Sequence, residues 1–165
     1  MSETRPVASR PLMPGYGIAA ADAGEGLLPW AWANERLRAS HNYWISTLAD
    51  SGAPHTMPVW GVWYGGGVVF SSGVLSRKVR NLLREPRCTV TTESAAEAVI
   101  VEGIARRVVD AVDIESITAA YVTKYDGGFP PDSALLRIVP HTVFGFIERE
   151  GQFTTTATRW RFPRG

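Results

Sequence analysis

Through most of its middle the chain alternates apolar and polar residues with a period of two, the spacing of strands that bury one face. Tyr43 to Leu48 and His55 to Tyr64 read as strands across the turn Ala49-Asp-Ser-Gly-Ala-Pro54, and Gly65-Gly-Gly67 closes a hairpin into the apolar run Val68 to Ser72. Cys88 to Glu93 and Ala98 to Val109 are strands again, separated by a short polar turn. A last long strand runs through Ala134 to Pro140 and Thr142 to Glu148, bent at Pro140. Pro58 has no N–H to give to a ladder, so its position is an edge, a bulge or a place where a ligand approaches. Glu102 shares a face with Ile100 and Ile104, an acid among apolar neighbours that is either an arginine's partner or catalytic.

The period becomes helical in three places. Pro29 fits a first helical position, and Trp30 to Ala39 follows with Trp30, Ala33 and Leu37 along one face. Ser76 is an N-cap for a helix that runs to about Arg84 and stops before Pro86. Asp113 starts a helix to Tyr125 with Ile114, Ile117, Tyr121 and Lys124 along one side, broken by Asp126-Gly-Gly-Phe-Pro-Pro131. Residues 1–28, rich in Pro, Gly and Ala, predict an extended arm that packs on a neighbour or stays mobile, and residues 29–165 predict a single domain. The tail Thr154 to Phe162 is β-prone, aromatic and basic, and should cover something in its own subunit or a partner's. About six strands, mostly in hairpins with short helices inserted, favour a mainly β (α+β) antiparallel barrel with Greek-key connections over a parallel sheet.

Composition narrows the classes. A net charge of +1 over 165 residues gives no reason to expect nucleic acid or an anionic membrane as the main partner. Cys88 is the only cysteine, so a disulfide within the chain is impossible, and its apolar setting reads as a small buried hydrophobe. No apolar run reaches the ~18 residues of a membrane span and no signal peptide is apparent, which predicts a cytoplasmic protein. Of 17 cationic residues only Lys78 and Lys124 are lysines.

The usual catalytic motifs are missing. There is no G-x-G-x-x-G after a strand, no P-loop and no G-x-S-x-G elbow, and His41, His55 and His141 are too scattered to predict a metal site. The helix after Ser76 instead opens with Arg77, Lys78 and Arg80, where the macrodipole favours acids. That pattern is either an anion site, with free N–H groups and cations converging on a phosphate, or a solvated basic face. An enzyme with this inventory takes its reactive atom from a bound cofactor.

The order His55-Thr-Met-Pro-Val-Trp-Gly-Val-Trp63, Phe70-Ser-Ser-Gly73, Ser76-Arg-Lys-Val-Arg-Asn-Leu82 and Val101-Glu-Gly103 resembles the pyridoxamine 5'-phosphate oxidase-like split-barrel superfamily. Within it the resemblance is to the short flavin- or deazaflavin-dependent oxidoreductases, which often carry a leader like Met13-Pro-Gly-Tyr-Gly-Ile18 and an end like Ala157-Thr-Arg-Trp-Arg-Phe162. It covers roughly residues 40–162 and implies a six-stranded split β-barrel of the FMN-binding type, forming a homodimer with two cofactor sites at the interface. By motif, Arg77 and Lys78 would hold the cofactor phosphate with help from Asn81. Met57, Pro58 and Val59 would border the ring system with main-chain atoms, and Ser71 and Ser72 would reach its polar edge. Trp160, with Arg159, would come from the facing subunit. The chain lacks the longer arginine-bearing C-terminal segment of pyridoxamine-phosphate oxidases proper, which argues against their chemistry.

The resemblance and the arginine-heavy composition together favour coenzyme F420, with FMN as the alternative, since both present a ribityl phosphate. The implied activity is hydride transfer from the reduced deazaflavin to a small unsaturated substrate; no side chain stands out as the catalytic proton donor. The other readings are an FMN-dependent oxidoreductase and a non-catalytic flavin-, deazaflavin- or haem-binding protein, the last with His55 or His141 as axial ligand.

Overall fold

In the computed structural model, which describes residues 5–20 and 23–163, the alternating segments pair into one antiparallel sheet. The elements in order are β1 (Val7–Ser9), α1 (Trp30–Ala39), β2 (Asn42–Leu48), β3 (Pro54–Tyr64), β4 (Gly67–Gly73), α2 (Arg77–Arg84), β5 (Arg87–Thr92), β6 (Glu97–Arg107), α3 (Ala111–Tyr125), β7 (Ser133–Ile147), α4 (Phe153–Thr156) and β8 (Thr158–Arg161). Neighbours run β1-β8-β7-β4-β3-β2-β5-β6, and β6 also pairs with β7. Six strands, β2 to β7, therefore close into a barrel, as the alternation predicts. β8 attaches to β7 outside the closure, and β1 attaches to β8.

The barrel fills because one residue in two points inward. Tyr43, Ile45, Val59, Trp63, Val68, Phe70, Val90, Val99, Val101, Leu136, Ile138 and Val143 make one buried cluster. The β3–β4 hairpin is apolar on its outer face too, where Val62 and Val69 lie under Ile117 and Tyr121 of α3. That second layer explains the unbroken run Val68-Val-Phe70: both faces are covered. Ile117 and Tyr121, four apart, meet the sheet, while Ile114 stays at the edge of the contact.

Helix ends follow local chemistry. The Ser76 hydroxyl accepts the Val79 N–H at 3.4 Å, and α2 has the bounds its cap and Pro86 predict. Pro29 caps α1 from outside rather than occupying its first turn. The helix expected from Asp113 begins at Ala111, because Asp110 is the cap and its carboxylate accepts the Asp113 N–H at 2.9 Å. On β7 the register jumps: Glu102 faces Thr142 and Gly103 faces Pro140, leaving His141 as the extra residue of a bulge. A Cβ at Gly103 would lie 2.5 Å from the Val139 carbonyl oxygen, so only glycine lets the strands approach there.

The β-prone tail divides into α4 and β8 and covers its own subunit. Trp160 is 1% exposed and meets Trp30 edge-on at 5.6 Å between ring centroids. Part of the predicted arm is tied down as well, since β1 pairs with β8 and Arg10 donates to the carbonyls of Ala23, Glu25 and Ala157. Its residues 1–4 and 21–22 lie outside the described residues. Among the described residues no helix is long and apolar enough to cross a membrane.

Cys88 is buried, and desolvation pushes its thiol up to about 12. The native protein is therefore expected to leave the thiol unmodified by Ellman's reagent at pH 8, with one equivalent reacting after denaturation. Rapid reaction of the folded protein would contradict this burial.

Candidate functional site

β3 changes partners along its length. Pro54 to Trp60 pair with β2, whereas Gly61 to Tyr64 pair with β4. β4 pairs with β7 on its other edge from Val68 to Gly73, and its β3 pairing stops at Phe70, so Ser71, Ser72 and Gly73 keep only their β7 partners Leu135, Ala134 and Ser133. Back from Trp60, the second edge of β3 therefore has no partner strand, and a cleft opens between it and the end of β4. Met57 shows the opening: it shares the inward face with Val59, yet it is 39% exposed against 5% for Val59.

The direction of the free main-chain groups follows from Gly61. Its N–H goes to the Tyr125 hydroxyl at 2.8 Å and its carbonyl accepts from Lys124 Nζ at 2.6 Å, both away from β4. By the two-residue alternation of a strand, the groups of Val59, Met57 and His55 also face β2, and those of Trp60, Pro58 and Thr56 face the cleft. The Thr47 hydroxyl donating to the His55 carbonyl at 3.3 Å agrees with this. Of the three residues assigned by resemblance to border a ring with main-chain atoms, Pro58 alone offers a carbonyl to the cleft. It also leaves no unpaired N–H there.

The other wall is β4 and the start of α2. Ser72 and Ser76 share a hydroxyl hydrogen bond of 3.1 Å, which fixes the strand end to the helix cap. Ser71 Oγ is buried and has no hydrogen-bond partner. Asn81 is buried and donates from Nδ2 to Thr47 Oγ1 at 3.0 Å, which ties α2 to β2. Arg77, Arg80 and Asn81, with Ala49, Asp50 and Ser51 of the β2–β3 turn, line a pocket of about 310 Å³. Asp50 is held by Arg84 at 2.5 Å, and neither Arg77 nor Arg80 has an ion pair among the described residues. Two unpaired guanidinium groups beside a helix N-terminus suit an anion. Lys78, one position on, is half-buried and does not line that pocket.

Met57, Pro58, Val59, Ser71, Ser72, Arg77, Lys78 and Asn81 thus come from the two walls and from the helix at their end. Arg159 and Trp160 do not join them. β8 pairs with β7 at Thr142 to Gly145, while the cleft end of β4 pairs at Ser133 to Leu135, roughly 30 Å back along the strand at ~3.3 Å per residue. Arg159 packs on Ser9, with Nη2 at 3.1 Å from its hydroxyl. Trp160 lies inside the core of its own chain, 1% exposed, away from that chain's cleft.

Arg80 belongs with Arg77, and the signal was available in their three-residue spacing on one helix face. Lys124 and Tyr125 had no such signal, because what they touch lies about 60 residues away in sequence. Glu102 forms no ion pair among the described residues, so the arginine partner expected for it is not there.

The sequence signature of the pyridoxamine 5'-phosphate oxidase family matches residues 32–146. No curated protein sequence matches the chain. Among solved structures, a conserved hypothetical protein from Mycobacterium tuberculosis superposes with a TM-score of 0.68 at 18% identity, over 79% of this chain and 91% of that one. A heme binding protein from Mycobacterium smegmatis gives 0.62 at 21% identity, over 75% and 56%. An F420 reductase gives 0.56 at 18% identity, over 70% and 98%. Likeness at these identities establishes the shared fold.

Proposed function

Because this chain belongs to the pyridoxamine 5'-phosphate oxidase family, we propose that it is an oxidoreductase that holds coenzyme F420 in the cleft where β3 leaves β4. The observation that carries the reading is the pair of unpaired guanidinium groups, Arg77 and Arg80, at the end of a cleft whose edge has free main-chain groups. A solved structure of the same fold is an F420 reductase, which supports that cofactor.

The residues present fit a ribityl phosphate carrying a flat heterocycle. Arg77, Arg80 and the N–H groups opening α2 would take the phosphate. The Pro58 carbonyl and the main chain of Thr56 and Trp60 would meet polar atoms along the ring edge. Ser71 Oγ, buried without a partner, is a donor and acceptor that a bound polar group would satisfy. Val59 and Met57 would exclude water from the ring's apolar side. When bound, the reduced deazaflavin supplies a hydride, which suits reduction of a small unsaturated or conjugated substrate.

FMN is the alternative cofactor, since it offers the same phosphate. Haem is a second reading with an observation of its own: His55 lies on the same strand face as Met57, at the cleft, and a heme binding protein shares the fold.

The working form in this reading is a homodimer. Trp44 and Trp60, 47% and 55% exposed, lie on the outer face of β2 and β3 with Pro58 and Leu48 beside them. A second copy covering that face would bring its own residues to the mouth of the cleft.

Titrating the purified protein separately with coenzyme F420, FMN and haemin tests the proposal. Quenching of deazaflavin fluorescence, saturating at one cofactor per chain, is the expected result. Preference for FMN would promote the alternative, a Soret shift abolished in His55→Ala would establish the haem reading, and binding of none would end all three.

A further inference from the structure

β3 changes neighbours in a single step, and side chains rather than a strand hold that step. Its last rung with β2 is Trp60 opposite Asn42, and its first with β4 is Gly61 opposite Phe70. The rung that would come next, His41 opposite Gly61, is absent because β2 begins at Asn42. The last two residues of α3 take its place. Lys124 Nζ donates to the Gly61 carbonyl at 2.6 Å and the Ser40 carbonyl at 2.7 Å. Tyr125 Oη accepts the Gly61 N–H at 2.8 Å and donates to the His41 carbonyl. The Tyr125 ring stacks on Trp60 with centroids 4.8 Å apart and planes 5° apart, and Lys124 lies 5.0 Å above the Tyr43 ring.

This grip exceeds what α3 needs in order to dock, since Ile117 and Tyr121 already bury against Val62 and Val69. A half-buried ammonium held by carbonyls is costly: desolvation pushes Lys124 down to about 8, with only the pull of Glu93 opposing. An apolar side chain would bury there without that cost, but it would take from the Gly61 carbonyl its charged donor and leave it only the Tyr125 hydroxyl at 3.0 Å, which the His41 carbonyl shares.

We propose that Lys124 and Tyr125 are positioning residues that fix Gly61 as the fulcrum of the cleft and so set how far the edge of β3 from Thr56 to Trp60 stands from Ser71, Ser72 and Gly73. The proposal rests on the cleft being a cofactor site, as inferred above. Charge matters at Lys124 because a hydrogen bond from an ammonium is about twice as strong as one between neutral groups. The groups that face it are Tyr43 of β2, Glu93 from the β5–β6 turn and Tyr125 of α3 itself.

The test compares Lys124→Met, Lys124→Arg, Tyr125→Phe and Ile117→Val with the wild type at pH 7. It reads amide exchange across residues 56–61 without cofactor, the Kd for coenzyme F420 and FMN, and the melting temperature. Lys124→Met and Tyr125→Phe are expected to lower protection across 56–61 and to weaken cofactor binding by about tenfold, while Lys124→Arg restores both. Ile117→Val, which loosens α3 without touching the grip, is expected to lower the melting temperature and leave Kd unchanged. Unchanged protection in Lys124→Met would overturn the proposal. So would reduced protection with unchanged Kd, or a rise in Kd for Ile117→Val as large as that for Lys124→Met. Should the wild type bind no cofactor, the functional reading falls, and protection of residues 56–61 alone decides whether the grip exists.

Discussion

Replacing Arg77 with alanine is expected to weaken coenzyme F420 binding by about tenfold to a hundredfold, the equivalent of one lost hydrogen bond to a charged group, roughly 1.5–3 kcal/mol. The same change should leave stability unaltered or raise it by a few tenths of a kcal/mol, because Arg77 is an exposed cation in the first turn of α2, where the helix dipole disfavours positive charge. Opposite signs on binding and stability distinguish a ligand contact from a structural one. Arg80→Ala should behave alike, since it lines the same pocket, and Arg106→Ala, exposed on β6, serves as the control. The effect should shrink as salt rises, as exposed charges are screened. Fluorescence titration of the three variants, beside their thermal melts, reads both quantities. If Arg77→Ala and Arg80→Ala bind as tightly as the wild type, the basic opening of α2 is a solvated face.

The second large effect belongs to Trp160→Ala, expected to cost about 3–5 kcal/mol of folding stability. Trp160 is enclosed by its own chain: Trp30 lies edge-on to it, and the structure leaves no room on β7, where a Cβ added at Gly145 would come within 2.7 Å of the Trp160 ring. Truncating it would open a cavity beneath β8 and loosen β1, whose one partner strand among the described residues is β8. Chemical denaturation at low protein concentration reads the loss directly. A tryptophan that served only as a partner's cofactor lid would give the reverse pattern, with stability unchanged and cofactor affinity reduced. Either outcome is unambiguous.

The barrel was legible because a strand with one buried face writes itself as a two-residue alternation, which β2, β5, β6 and β7 carry, while β4 showed as an unbroken apolar run after the glycine turn. α2 was legible to the residue, since Ser76 and Pro86 are chemical start and stop signals on either side of it. β1 was not, since three residues hold too little pattern and owe their conformation to a neighbour far along the chain, and β8 showed only as a β-prone stretch without its bounds. The tail showed its need for cover, but composition does not say whose surface supplies it. At the site, the cations of α2 and the oddity of Pro58 were visible in sequence. The cleft itself was not, because it exists only where β3 exchanges one partner for another, and that is a matter of register. Lys124 could be placed on the side of α3 that carries Ile117 and Tyr121. That its ammonium reaches the Gly61 carbonyl depends on how the helix lies across the sheet.

The two-sided hairpin of β3 and β4 has a consequence for biosynthesis. Its strands are joined by a two-residue turn and can pair within microseconds of leaving the ribosome. Its outer residues Val62 and Val69, however, are covered by Ile117, which follows Val69 by about 50 residues. At ~5–20 residues per second, that greasy outer surface stands bare for roughly 2–10 seconds in every nascent chain. The interval is long enough for a chaperone to find it, and it makes the helix between β6 and β7 a shield that arrives late.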